Sequence, residues 1–181
     1  MIIQIRGTSG SGKTTVMREV MKQFQWNPRI VKGRKKPLWY QAKQMDLAIL
    51  GHYEESACGG CDTVGSARQV YELIQTLNMD VILCEGLLLS EDVKWARQMM
   101  DLRVIFLTTP LETCLERVAK RRETAGNDKP LNPANTTNRV ATIERARVKL
   151  VELGVVCRRC TTEQASKLVL EWVRLHAHQG V

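Results

Sequence analysis

The stretch GTSGSGKT, Gly7 to Thr14, restricts this chain more than any other feature. It has the spacing G-x-x-x-x-G-K-[ST], follows the apolar run MIIQIR and precedes TVMREVMKQF, whose apolar spacing predicts a helix. A strand, a glycine-rich turn and a helix in that order form a phosphate cradle. Glycines at 7, 10 and 12 let the backbone curl so that successive N–H groups point inward at phosphate oxygens. The helix N-terminus adds partial positive charge at the same place. Gly7, Thr8, Ser9, Gly10, Ser11, Gly12, Lys13, Thr14 and Thr15 are therefore the expected nucleotide-binding residues. Lys13 is placed to reach the β- and γ-phosphates, and the Thr14 hydroxyl is offered to Mg²⁺. The implied cofactors are ATP and Mg²⁺, but the motif does not say what accepts the phosphate.

The rest of the chain supplies a sheet to carry that loop. Apolar strands are expected at 2–6, 81–84, 103–108 and 154–157, alternating with helices, which predicts a parallel sheet covered on both faces. The fold class is α/β, of P-loop type, with 1–181 as one domain. PLWYQ and MDLAILGHY read as a β-hairpin insertion, and the hairpin and acceptor region is expected over about 30–66. Ser66 is the expected cap of a helix over SARQVYELIQTL, and Ser90 that of a helix over SEDVKWARQMM. TAGNDKPLNPANTTN reads as a polar loop before the helix RVATIERARVKLVELG, and a lid is expected over about 117–139. MIIQIRG reads as a strand from its first residues, and no apolar run approaches the roughly 18 residues of a membrane helix. The expectation is a cytoplasmic protein that makes no use of a membrane.

Two further clusters suit phosphoryl transfer. Glu85 ends the strand DVILC, so it is expected at the carboxyl edge of the sheet, where ligands of open α/β sheets bind. There it can accept the proton of an attacking hydroxyl, or hold Mg²⁺ through water. Arg117, Lys120, Arg121 and Arg122 crowd the end of one helix. Arg121 and Arg117, four apart and so on one face, are the expected stabilisers of transition-state charge. The alternative for the cluster is a solvated basic helix end.

These residues carry a resemblance. The phosphate loop, the strand-end acid, VIFLTTPLETCLERVAKRRE and the lid after it resemble the nucleoside and nucleotide kinases of thymidylate-kinase type. LGHYEESACGGCDTVGSARQ and KPLNPANT more narrowly resemble bacteriophage P-loop kinases that act on 5-hydroxymethyluracil within DNA. That resemblance implies transfer of the γ-phosphate of ATP to the base's hydroxymethyl group, a step in phage thymine hypermodification, in the host cytoplasm. A deoxynucleoside monophosphate kinase, a 5′-hydroxyl polynucleotide kinase and a non-catalytic nucleotide-binding module remain as alternatives.

A net charge of +8 suits a polyanionic partner, here DNA containing a modified thymine. Lys32, Arg34, Lys35 and Lys36 are followed by Trp39 and Tyr40, a pattern that either offers cations to phosphates and rings to an extruded base or forms a solvated hairpin with a core Trp. His52 and Tyr53 either line the same pocket or pack in the core. Gly59 and Gly60 either allow the main chain to approach a bulky substrate or form a plain structural turn. Asp62 caps the next helix or binds a substrate polar group, and Arg68 meets a phosphate or is solvated. The chain has six cysteines, four of them in the pairs CGGC and CRRC. Two such pairs match a zinc site in number and type, but their placement argues against a shared zinc: the resemblance puts the first near the acceptor and the second near the adenine.

Overall fold

In the computed structural model, which describes residues 1–54, 59–127 and 132–177, a single seven-stranded sheet organises the chain. Its strands are β1 (Ile2–Arg6), β2 (Trp26–Arg29), β3 (Trp39–Ala42), β4 (Leu47–Leu50), β5 (Val81–Glu85), β6 (Leu102–Leu107) and β7 (Val156–Cys160). The order is β2-β3-β4-β5-β1-β6-β7. Pairings from β4 to β7 are parallel, whereas β2–β3 and β3–β4 are antiparallel. The helices are α1 (Lys13–Met21), α2 (Ala67–Thr76), α3 (Leu87–Ser90), α4 (Leu111–Thr124), α5 (Pro133–Glu152) and α6 (Thr162–Ala177).

β1 and β5 are buried at every residue, as strands covered on both faces must be. Their alternation splits the core. Ile3, Ile5 and Leu83 meet Val16 and Met17 of α1 and Val169 and Val173 of α6. Ile2, Ile82 and Cys84 meet Tyr71 of α2, Leu89 of α3 and Ile143 of α5 on the other face. Pairing of Ile5 with Glu85 sets the end of β5 beside the turn that follows β1.

The α/β class and the parallel central strands agree with the sequence; three local details do not. β2 has no counterpart among the strands expected from sequence, because Pro28 interrupts it; it is an edge strand, where a missing N–H is tolerated. The helix expected over SEDVKWARQMM is replaced by the short α3 and a 3₁₀ turn, Ala96–Gln98. Asp62 accepts the N–H groups of Leu87 (3.0 Å) and Leu88 (3.2 Å), which starts the helix early, and Ser90 is buried in its last position instead of capping it. α5 starts at Pro133, inside the stretch read as loop, with the Asn132 side chain accepting from Ala134 N (3.0 Å). Ser66 does cap α2, in a reciprocal capping box with Gln69.

Among the described residues, one charged side chain has no exposed surface at all. Arg6, fully buried at the end of β1, donates to Gln4 Oε1 from Nε (3.0 Å) and Nη2 (2.7 Å) and to the Asp92 carbonyl from Nη1 (2.5 Å). Gln4 in turn donates to the Tyr71 hydroxyl (3.0 Å). A buried guanidinium requires such saturation of its donors. The network anchors the residue that immediately precedes the glycine turn.

Candidate active site

The turn between β1 and α1 is held tightly from several sides. Gly10 and Gly12 have φ of 80° and 97°, in the left-handed region. A Cβ on Gly10 would overlap the Cys114 carbonyl of α4, and one on Gly12 would overlap Thr162 Oγ1 of α6. Thr109 Oγ1 donates to Ser11 O (2.7 Å), and Ser90 Oγ accepts from Gly7 N (3.1 Å) while donating to Gly86 O (2.9 Å). The turn therefore reaches its shape through β5, β6, α3, α4 and α6 together.

A cavity of about 320 Å³ lies against it, and its wall includes Ser9, Gly10, Gly12, Lys13, Thr14 and Thr15. Lys13 Nζ donates to Gly7 O (2.9 Å) and Thr8 O (3.0 Å), which keeps the ammonium at the cavity wall. Thr8 Oγ1 and Ser11 Oγ are buried without a partner among the described residues. A left-handed glycine turn, the N-terminus of α1 and an ammonium at the cavity wall fit a polyphosphate.

Glu85 faces the turn across the cavity and is almost wholly buried. Thr14 Oγ1 donates to its Oε1 at 2.8 Å. Burial pushes the Glu85 carboxyl up to about 7, against the opposing pull of Lys13, the Thr14 hydrogen bond and Arg18, and with a further push from Asp62. The Thr14 hydroxyl and the Glu85 carboxylate, in contact, are hard oxygen donors of the kind that fit Mg²⁺. Asp62 also lines the cavity, but its two oxygens each accept a backbone N–H of α3. Asp62 thus caps α3, not the α2 helix that follows it. Glu85 is left as the carboxylate available for chemistry at the wall.

The glycine pair fits this corner. Gly60 N donates to His52 O (3.0 Å), and Gly60 has φ of 75°. A Cβ there would overlap the Glu85 carboxylate, and one on Gly59 would overlap the His52 carbonyl. Gly59 lines the cavity, while Gly60 backs Glu85. On the opposite wall Arg117 and Arg121 of α4 face the same space, and Arg117 Nη1 donates to Gly10 O (3.1 Å).

Other expected contacts are not brought to the cavity wall. Tyr40, His52 and Tyr53 are buried, with Tyr40 Oη 3.3 Å from His52 Nδ1 and Tyr53 Oη donating to Leu50 O (3.1 Å). Burial pushes the Tyr40 phenol up to about 12. Trp39 is half-buried against the α2 face of the core. Tyr40 and Tyr53 therefore offer no open face for an extruded base, contrary to the stacking expectation for Tyr40, and Trp39 keeps only part of its surface exposed. Arg68 is exposed and paired with Glu72 at 2.7 Å, away from the cavity. Cys58 of the CGGC pair lies outside the described residues, as do residues 128–131 of the expected lid. Cys157 and Cys160 pack on opposite faces of the sheet, three residues apart on β7, so they cannot share a metal.

Three residues join the site without having been singled out by sequence. Arg18 follows Thr14 by one helical turn and has Nε 3.4 Å from Tyr53 O; that spacing is visible in the sequence. Thr162 closes the turn from α6, and Leu87 lines the cavity. Their proximity comes from the fold, so no local signal announces it. The cationic run does approach the site, because Arg34 Nη2 donates to Thr63 O (2.6 Å) in the 3₁₀ turn Cys61–Thr63 that contains Asp62. Lys32, Lys35 and Lys36 beside it are exposed.

The family model for the AAA domain matches residues 2–145, a span that holds the glycine turn, Glu85 and both arginines. The chain belongs to this family. Within it, the chain is 44% identical to a protein named 5-hmdU DNA kinase from Pseudomonas phage PaMx11, over 75% of this chain and 77% of that protein. It is 29% identical to the 5-hmdU DNA kinase of Pseudomonas phage M6, over 91% of this chain and 93% of that one. It is 28% identical to 5-hmdU DNA kinase 1 of Salmonella phage ViI, over 65% and 57%. Family membership accounts for the cradle, and these relatives are kinases by name.

Proposed function

We propose that the protein transfers the γ-phosphate of ATP to the hydroxymethyl group of 5-hydroxymethyluracil in DNA. The chemistry rests on one observation: a buried carboxylate, Glu85, shares a cavity with the phosphate turn, Lys13 and two arginines. The acceptor comes from the relatives' names, one of them at 44% identity.

In this account the turn amides and Lys13 hold the β- and γ-phosphates. Mg²⁺, held by Thr14 with Glu85 near it, would neutralise charge on the phosphate oxygens. The base's CH₂–OH enters beside Gly59, whose backbone lines the cavity. Its oxygen attacks the γ-phosphorus in line, the new O–P bond forms, and the bond to the β–γ bridging oxygen breaks to release ADP. The hydroxyl proton passes to Glu85. Arg117 and Arg121 offset charge on the equatorial oxygens from the far wall. Within a duplex the methyl-position substituent has no space beside it for ATP, so the base must leave the stack. The exposed lysines tethered through Arg34 supply positive charge near that entrance.

ADP release provides the test. It should be stimulated by DNA containing 5-hydroxymethyluracil and not by the same DNA containing thymine. Stimulation by free deoxynucleoside monophosphates alone would overturn the assignment in favour of a small-molecule kinase.

A further inference from the structure

Two depressions outside the phosphate cavity adjoin it and each other. One, of about 340 Å³, starts at Asp62 and Leu87, which also wall the phosphate cavity, and ends at Glu91 and Arg139. The other, of about 530 Å³, starts at that same Glu91–Arg139 pair and at Ser9 of the glycine turn, and runs between α4 and α5 past Arg122, Asn135 and Asn138. Together they make one groove that leaves the acceptor side of the site.

The lining has a definite chemistry. Arg139 Nε meets Glu91 Oε1 at 2.7 Å, and both side chains remain partly exposed at 42% and 34%. Arg122 has no ion-pair partner among the described residues. Arg122 and Arg139 share the groove with two carboxylates, Glu91 and, at its mouth, Asp62. Asp62 is occupied by the N–H groups of Leu87 and Leu88 and Glu91 by Arg139, which leaves the Arg122 guanidinium for an anion, and the amides of Asn135 and Asn138 can donate or accept. Guanidinium forks and amides match phosphate and sugar oxygens.

We propose that this groove binds the phosphodiester backbone of the DNA strand that carries the acceptor base, through Arg122 and Arg139. The inference rests on the DNA-kinase reading. A base turned out of its strand leaves its flanking phosphates at the mouth of the pocket, and the groove continues from that mouth. Glu91 orients Arg139 and partly neutralises it, so the pair sets how strongly the strand is held.

The experiment is fluorescence anisotropy of a labelled single-stranded oligonucleotide with one 5-hydroxymethyluracil, over a salt series, using wild type, Arg122→Ala, Arg139→Ala and Glu91→Gln. Affinity for a fluorescent ATP analogue reports on the fold of each variant. Each arginine variant should weaken oligonucleotide binding by about tenfold, the loss of one charge-assisted hydrogen bond. The slope of log K against log salt should fall by about 0.7 for each phosphate no longer held. Glu91→Gln should tighten binding by roughly threefold, since it frees Arg139 from its carboxylate. ATP-analogue affinity should not move. If both arginine variants bind with wild-type affinity and slope, or Glu91→Gln weakens binding, the groove assignment is overturned. The kinase reading would survive that result wherever phosphorylation of 5-hydroxymethyluracil DNA persists. A wild-type protein with no salt-dependent affinity for the oligonucleotide, phosphorylating only free nucleotides, would overturn both.

Discussion

In the proposed mechanism Glu85 carries the proton transfer, and its ionisation is balanced near neutrality. Its carboxyl is pushed up to about 7, mainly by burial, so a base role requires it to lose its proton near neutrality. We predict that kcat/KM rises with pH to a plateau above an apparent pKa of about 7. Arg18 holds the carboxyl down and Asp62 holds it up. Arg18→Gln should therefore move the rise to higher pH and Asp62→Asn to lower pH, as a pH–rate series would show. Glu85→Gln should lower kcat by about 10²- to 10⁴-fold, the range for removing a general base. The sign for stability is separate. A folded value above the unfolded one means that the favourable contribution is complete below about pH 4.5 and is lost as pH rises through about 7. Denaturant titrations at about pH 5 and pH 8 should then show wild type losing on the order of 3 kcal/mol relative to Glu85→Gln, for a shift of this size. A smaller residue matters as much: Gly60→Ala should depress transfer while sparing nucleotide affinity, because its Cβ would displace the Glu85 carboxylate and not the phosphate turn.

Between elements, a few polar contacts give the sheet edge its shape. Asp62 starts α3, α3 presents Ser90, and Ser90 grips Gly7 at the head of the phosphate turn. Asp62→Ala should lower stability by about 1 kcal/mol, as for a lost helix cap, with a shift in melting temperature as the readout. On the other side of Gly7, Arg6→Ala would leave Gln4 and Tyr71 without the guanidinium they surround; a loss of about 3 kcal/mol in urea is expected, with an unchanged m-value. These features are legible in the sequence to unequal degrees. GTSGSGKT is legible because all its parts are contiguous, and Glu85 because a buried strand ending in an acid is a local pattern. Asp62 with α3, Ser90 with Gly7, and Thr162 with the turn join segments far apart along the chain, so no window contains both partners. Pro28 hides β2, and the Asn132–Pro133 start of α5 is lost in a run of other polar residues.

At the scale of the whole molecule, strand order decides where chemistry occurs. β5 beside β1 sets the acid against the phosphate turn, β6 leads to α4 and its arginines at the cavity wall, and Gly59, beyond β4, lines the same cavity. The antiparallel β2 and β3 extend that side and carry the lysines tethered by Arg34. Every part meets at one carboxyl edge, so removing Lys13 should disable the assembly without unfolding it. The most direct test of the central claim is the position of label transferred from γ-labelled ATP into DNA containing 5-hydroxymethyluracil, read after digestion to nucleosides. The prediction is label on the hydroxymethyl oxygen with wild type and none with Lys13→Ala. Label confined to 5′ ends or to added mononucleotides, or undiminished transfer by Lys13→Ala, would contradict it.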